Sequence, residues 1–172
     1  VAAVDALGVF NPNDSETMVG PVISESARAS ALEAISGSGG RVLAGGEALD
    51  APGFYLAPTL VELDSPTGPL ATEEVFAPVA AVIRAPSADA AAGIANGVPF
   101  GLVAAVFTRD LAQALRMADR LDAGLVRVNA PTSGVDYHAP FGGAKDSSYG
   151  PREQGVAARD FYTETKTITI VP

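Results

Sequence analysis

The chain has 172 residues, 48% of them hydrophobic, and its 11 basic and 20 acidic side chains give a formal net charge of −9. That length suits one domain, or one with a short appendage, which on compact folding would leave about 7,900 Å² exposed and bury about 69% of its unfolded surface. Disorder, duplex binding, a membrane span of ~20 apolar residues, disulfides, thiolate metal sites and a cysteine nucleophile are all excluded by this apolar, acidic, Cys-free composition.

The start, Val1-Ala2-Ala3-Val4-Asp5, has neither an initiator Met nor the basic opening of a secretory signal. A trimmed end, or a piece of something longer, is therefore expected, in the cytoplasm. Phe10 to Thr17 reads as a polar turn. Ser24 is placed to cap a helix running to about Ile35, with Ala27, Ala31 and Ile35 on one face, Leu32 adjacent, and Gly37 to Gly40 as its stop. Arg41 to Ala44 and Thr59 to Leu63 read as short strands. Val79 to Ile83 is a continuous apolar run, the pattern of a strand covered on both faces.

Ser87 to Asn96 is an Ala-rich helix closed by Gly97, and Leu102 to Phe107 reads as another buried strand. Asp110-Leu111-Ala112-Gln113 has the form of a capping box. It opens a helix with Leu111, Ala114, Leu115, Ala118 and Leu121 on one stripe, ended by Gly124. Leu125 to Val128 is a third strand. Strand and helix alternate, which predicts an α/β fold with a mostly parallel sheet and crossover helices. Ala130 to Gly155 is a long Gly-rich loop, a length that usually serves function. In Thr165 to Val171, Ile168 and Ile170 alternate with threonines, giving a terminal strand with one apolar face that needs a partner.

Two places could carry chemistry. In Thr72-Glu73-Glu74-Val75-Phe76-Ala77-Pro78, a carboxylate at a strand entrance can accept two hydrogen bonds from a ribose diol. An aromatic two residues on, in extended backbone, points the same way and can cover a planar ring. The alternative is a solvated acidic turn followed by a core Phe. The second place is Pro140 to Glu153, whose glycines permit close backbone approach and whose Phe141 could wall a pocket. It lacks the spacings of nucleotide-phosphate loops, so that role is rejected. The alternative is a surface loop plugged into the core by Phe141, with Lys145 and Arg152 solvated or paired to Glu153. His138, the single imidazole, reads as a hydrogen-bonded loop residue and no catalytic base. Asn129 could orient a carbonyl or cap a turn.

Taken in order, these segments resemble one family. Glu73-Glu74-Val75-Phe76-Ala77-Pro78 resembles the E-E-x-F-G-P segment of NAD(P)-dependent aldehyde dehydrogenases, and Gly101-Leu102-Val103-Ala104-Ala105-Val106-Phe107-Thr108-Arg109-Asp110 is similar to their G-L-A-A-x-V-F-T-x-D. Pro140-Phe141-Gly142-Gly143, Arg152-Glu153 and Tyr162-Thr163-Glu164-Thr165-Lys166-Thr167 match further elements, as do Gly20 to Ser24 and Gly53 to Thr59. The likeness runs from about Asn11 to the C-terminus. Val135 to Pro140 together with Ser147 to Gly155 resembles the α-ketoglutaric semialdehyde dehydrogenase branch.

The resemblance implies that residues 1–160 are the C-terminal part of a catalytic domain of that type and that 161–172 form an oligomerisation strand. Members attack the aldehyde with a Cys thiolate, pass a hydride to the nicotinamide and hydrolyse the thioester. The Cys lies upstream in the family, so this chain alone is expected to be inactive. By the same resemblance Glu74 holds the cofactor ribose and Phe76 lies against the nicotinamide of NAD or NADP. Phe141, Asn129 and Val135 line the aldehyde pocket, and Glu153 stands near the water route. Ala77 replaces a usual Gly, and Ser148 and Pro151 interrupt the usual S-G-x-G-R-E. The expected partners are a small aldehyde and further copies of the chain through the terminal strand, with no nucleic acid, membrane or metal. The competing reading is a stand-alone, non-catalytic binding or assembly module of the same fold.

Overall fold

A computed structural model describes residues 1–9, 11–134 and 136–172; Phe10 of the expected turn and Val135 of the expected pocket lie outside the described residues. The chain divides into two compact units, Val1–Ala85 and Pro86–Pro172.

The first unit opens with α1 (Ala2–Asp5), which the sequence does not announce, and then the expected polar turn. That turn is closed by the side chain of Asn11, which accepts from the Asn13 N–H at 3.0 Å. Helix α2 (Glu25–Gly37) begins where Ser24 Oγ accepts from the Ala27 N–H, satisfying one of the donors a helix start leaves free. It buries Ala31 and Ile35 as expected. Strands β1 (Arg41–Ala44), β2 (Thr59–Leu63) and β3 (Val79–Ile83) form one sheet in the order β1-β2-β3, with α3 (Pro69–Thr72) between β2 and β3. β1 lies antiparallel to β2 and β3 parallel to it.

Alternation along β2 puts Thr59, Val61 and Leu63 on the buried side, against Ala31, Ile35, Leu56 and Leu70. Leu56 and Val61 are fully buried, each worth roughly 1.5–3 kcal/mol in removed apolar surface. Thr59, the one polar residue that is buried as a whole among the described residues, is satisfied: its hydroxyl donates to Ala57 O at 2.7 Å and accepts from the Gly46 N–H. On the other side of β2, Glu62 is gripped by Arg41 at 2.5 Å and by Arg84 at 2.6 Å. The Arg41 hydrogen bond, then that of Arg84, holds the Glu62 carboxyl below its ordinary value of 4.5.

β3 corrects an expectation. It has the predicted bounds, but Ala80, Ala81 and Val82 are exposed, so it is not covered on both faces. The reason is that among the described residues no layer lies over its middle, and only its ends, Val79 and Ile83, pack against the core.

The second unit holds α4 (Ala88–Asn96), β4 (Phe100–Gly101), β5 (Val103–Val106), α5 (Leu111–Arg120), β6 (Leu125–Val128), β7 (Ala144–Lys145) and α6 (Ala158–Tyr162). Ser87 caps α4 through the Ala90 N–H. β5 and β6 pair in parallel across α5, the expected crossover, while β4 and β7 pair antiparallel. Among the described residues the expected sheet is thus three small ones, with parallel pairing in two of them. β1 and β2 follow one another without a crossover helix, the connection that suits an antiparallel pair, whereas β7 reaches β4 only after β5, α5 and β6.

Three further expectations are revised. Only half of the capping box forms: Asp110 Oδ1 accepts from the Ala112 and Gln113 N–H groups, but Gln113 Oε1 takes the Thr108 hydroxyl instead of reaching back. The α5 stripe buries Ala114, whereas Leu111 and Leu115 remain 71% and 63% exposed. The strand predicted over Leu102 to Phe107 is shorter, and Phe107 lies outside it and exposed. Among the described residues, the buried apolar side chains of this unit are Ala92 and Ala114. Residues 163–172 form no ladder within the chain, and Ile168 and Ile170 are exposed.

The accessible surface is 11,713 Å². That exceeds the expected 7,900 Å², and even two separately compact units of this size would expose only about 9,500 Å². No helix among the described residues is long and apolar enough to cross a membrane.

Candidate functional site

Glu74 and Phe76 occupy the connection between α3 and β3. Val75, Ala77 and Val79 pack against the first unit's core. Their alternation leaves Glu74 and Phe76 exposed, Phe76 to 81%. The segment's exit is pinned, because the Thr59 N–H donates to Pro78 O at 2.8 Å and the Val79 N–H to Ala77 O at 2.7 Å. Phe76 is therefore not a core residue of this chain, while Glu73 and Glu74 are exposed as in a solvated acidic turn. Nor is Phe76 extended, as the two-residue spacing argument assumed: its φ is +52°. An L-residue with a bulky side chain rarely adopts that left-handed backbone, and it persists only where the surroundings impose it. Here Val75 on one side and the pinned turn on the other do so. The result is an aromatic ring and a carboxylate held off the core on a short, anchored segment.

In the second unit, Asn129 follows β6 at φ +54°. Its side chain imitates a ladder residue: Nδ2 donates to Thr108 O and Oδ1 accepts from the Thr108 N–H, both at 3.0 Å. Asn129 thus clamps the segment that follows β5. Of the two roles left open for it, the structure shows this turn-holding one.

Phe141 and Glu153 are brought together. They form an antiparallel bridge, Phe141 N–H to Glu153 O at 2.6 Å and Glu153 N–H to Phe141 O at 2.9 Å, and both residues are half-buried. The loop around them is far from free. Arg152 donates to Gly143 O, and Ser148 Oγ accepts from the Gly143 N–H at 2.5 Å. Ser147 Oγ accepts from the Gly101 N–H. Lys145 Nζ donates to Asn96 O at 2.8 Å and Val98 O at 3.0 Å, at the C-terminal end of α4, where carbonyls favour a cation. Lys145 and Arg152 thus direct their donors to carbonyls, in place of the expected solvation or pairing with Glu153. A Cβ on Gly143 would stand 2.7 Å from Ser147 Cβ and 3.2 Å from Leu102 Cα. That glycine serves chain packing, in keeping with the rejected phosphate role.

His138 is exposed, with Nδ1 3.2 Å from Asp136 Oδ1 and its ring 3.9 Å from that of Tyr137. It is the hydrogen-bonded loop residue expected. No group of three His, Asp or Glu suited to a metal occurs among the described residues. Sequence reasoning missed the β4–β7 pairing and the Arg127 hold on Ser133 O and Gly134 O. It also missed Gln154, whose buried Oε1 lacks a partner among the described residues. Positive-φ non-Gly residues among the described ones are Phe76, Asn129, Lys145 and Gln154. Two are predicted site residues and a third adjoins Glu153.

The aldehyde dehydrogenase family model matches residues 1–168. The alpha-ketoglutaric semialdehyde dehydrogenase of Bacillus subtilis is 40% identical over 164 residues, covering 91% of this chain and 34% of that protein. The succinate-semialdehyde dehydrogenase [NADP(+)] 1 of Mycobacterium tuberculosis is 40% identical over 174 residues, covering 99% and 37%. Among solved structures, a Mycobacterium tuberculosis aldehyde dehydrogenase complexed with NAD+ matches with a TM-score of 0.86 at 31% identity, over 94% of this chain and 34% of that one. The chain spans about a third of the length of the curated relatives it matches.

Proposed function

The chain belongs to the aldehyde dehydrogenase family, and from that premise we propose that it is the C-terminal portion of an enzyme oxidising an aldehyde to the carboxylic acid with NAD+ or NADP+. The nicotinamide cofactor, when bound, takes the hydride from the substrate carbon. Glu74 accepts hydrogen bonds from the ribose hydroxyls, and Phe76 covers the nicotinamide ring. Phe141, Asn129 and Val135 shape the aldehyde pocket, and Glu153 stands by the route of the hydrolytic water. The aldehyde is α-ketoglutaric semialdehyde, on the branch likeness of 135–140 and 147–155. The terminal segment 163–172, beyond α6, pairs with a second copy, and the enzyme works in the cytoplasm. With Cys 0, the chain has no thiolate to attack an aldehyde, so by itself it is inactive.

One observation carries the cofactor role: Glu74 and Phe76 are exposed on a pinned segment while Val75, Ala77 and Val79 pack inward. A carboxylate and an aromatic face held there fit a ribose diol and a planar ring. In the full-length gene product, Glu74→Gln weakens charge-assisted hydrogen bonds, so KM for NAD(P)+ rises about tenfold while kcat stays within about twofold. An unchanged KM would remove Glu74 from the cofactor grip.

A further inference from the structure

The His138 ring is held at one nitrogen and open at the other. Asp136 Oδ1 accepts from the His138 main-chain N–H at 2.9 Å and stands 3.2 Å from the ring's Nδ1. The Tyr137 ring braces the imidazole at 3.9 Å, tilted by 35°. Facing a carboxylate, Nδ1 carries a proton, while Nε2 has no partner among the described residues. The turn itself is anchored. The Ala139 N–H donates to Asp136 O at 3.0 Å, and the Gly155 N–H to Tyr137 O at 3.1 Å. The main chains touch here, since a Cβ on Gly155 would stand 2.2 Å from His138 O. His138 therefore sits beside the Phe141–Glu153 bridge, three residues before Phe141 and against the glycine two residues after Glu153.

Stability gives no reason for an imidazole at this place. Its side chain is 73% exposed, and the main-chain N–H alone closes the Asp136 turn. The other basic side chains of the loop over 130–155 are directed at carbonyls: Lys145 at Asn96 O and Val98 O, Arg152 at Gly143 O. His138, when protonated, is the one that turns a charged N–H outward, on a ring already fixed. A donor of that kind suits a carboxylate.

We propose that His138 is a specificity-determining residue, whose Nε2 donates a hydrogen bond to a carboxylate at the end of the substrate away from its aldehyde carbon. The inference rests on the reading above, in which Phe141 walls the pocket and the substrate is a semialdehyde ending in such a carboxylate. Asp136 is a positioning residue: it acts through the ring, by holding Nδ1.

The test compares α-ketoglutaric semialdehyde with pentanal, an aldehyde of the same chain length without the carboxylate, as substrates of the full-length gene product. His138→Leu loses about tenfold in kcat/KM on the semialdehyde, chiefly through KM, and less than about twofold on pentanal. His138→Arg, which keeps a cationic donor, recovers most of the loss. The thermal midpoints of both variants stay within about 2 °C of the unaltered enzyme, because the side chain is exposed. The proposal is overturned if His138→Leu leaves the ratio of the two kcat/KM values unchanged, whether both hold or both fall. A midpoint that drops along with activity on both aldehydes makes His138 structural and overturns it as well. An unaltered enzyme that oxidises neither aldehyde refutes the reading of the activity and this proposal with it, whereas an active enzyme with an unchanged ratio refutes the role of His138 alone.

Discussion

At Phe76 and Asn129 the same left-handed backbone has different origins. Asn tolerates it because its short polar side chain can bond locally, as Asn129 does to Thr108. Phe has no such compensation, so residue type alone predicts extended backbone at 76. The alternation of Val75, Ala77 and Val79 was readable in the sequence; the sign of φ was not, because the pinned turn that imposes it depends on β2. Phe76→Ala removes an exposed ring with little packing, so its unfolding free energy changes by no more than about 0.5 kcal/mol. In the full-length enzyme it raises KM for the cofactor. A large drop in the urea midpoint would instead make Phe76 structural. Glu62 gives a pH-dependent expectation. Its carboxyl is held below 4.5 by Arg41 and Arg84, so its contribution is present above pH 4.5 and is lost as pH falls through the lowered value. Thermal midpoints followed by circular dichroism should fall as pH drops below 4.5, and Glu62→Gln should flatten that fall. An equally steep fall in the variant would assign the acid sensitivity elsewhere.

Helix starts were the most readable elements. Ser24, Ser87 and Asp110 each accept from an N–H two or three residues ahead, an interaction complete within one turn. Asp110→Ala leaves two donors of α5 without that partner and should cost about 1 kcal/mol in urea unfolding; no change would mean that the cap is redundant. The bounds of β2, β3 and β6 were also readable, since each is a short stretch dominated by apolar residues, continuous only in β3, between turn signals. Pairing was less so. β4 and β7 join Phe100 to Lys145 across a long separation, and two-residue strands leave no periodicity to detect. Coverage failed for the same reason: an apolar run shows that a face is to be buried, not which chain buries it. β3, Leu111 and Leu115 carry core patterns without a core over them.

The two units differ in what holds them. The first buries a cluster of aliphatic side chains around Leu56 and Val61, while among described residues the second buries only Ala92 and Ala114. Leu111, Leu115, Ile168 and Ile170 of the second unit stand exposed. The isolated chain should therefore show slower amide exchange in β2 than in β5 and β6. Its weight-average mass should rise with concentration in sedimentation, as exposed apolar area seeks cover. Uniform protection and a clean monomer would contradict this. On the proposed function, these residues supply the cofactor grip and pocket walls for a thiolate that the chain lacks. Aldehyde-dependent NAD(P)H formation, measured for the 172-residue chain beside the full-length gene product, tests it directly. Turnover is expected from the full-length enzyme and none above the blank from the chain; turnover by the chain alone would refute the proposed division of the site.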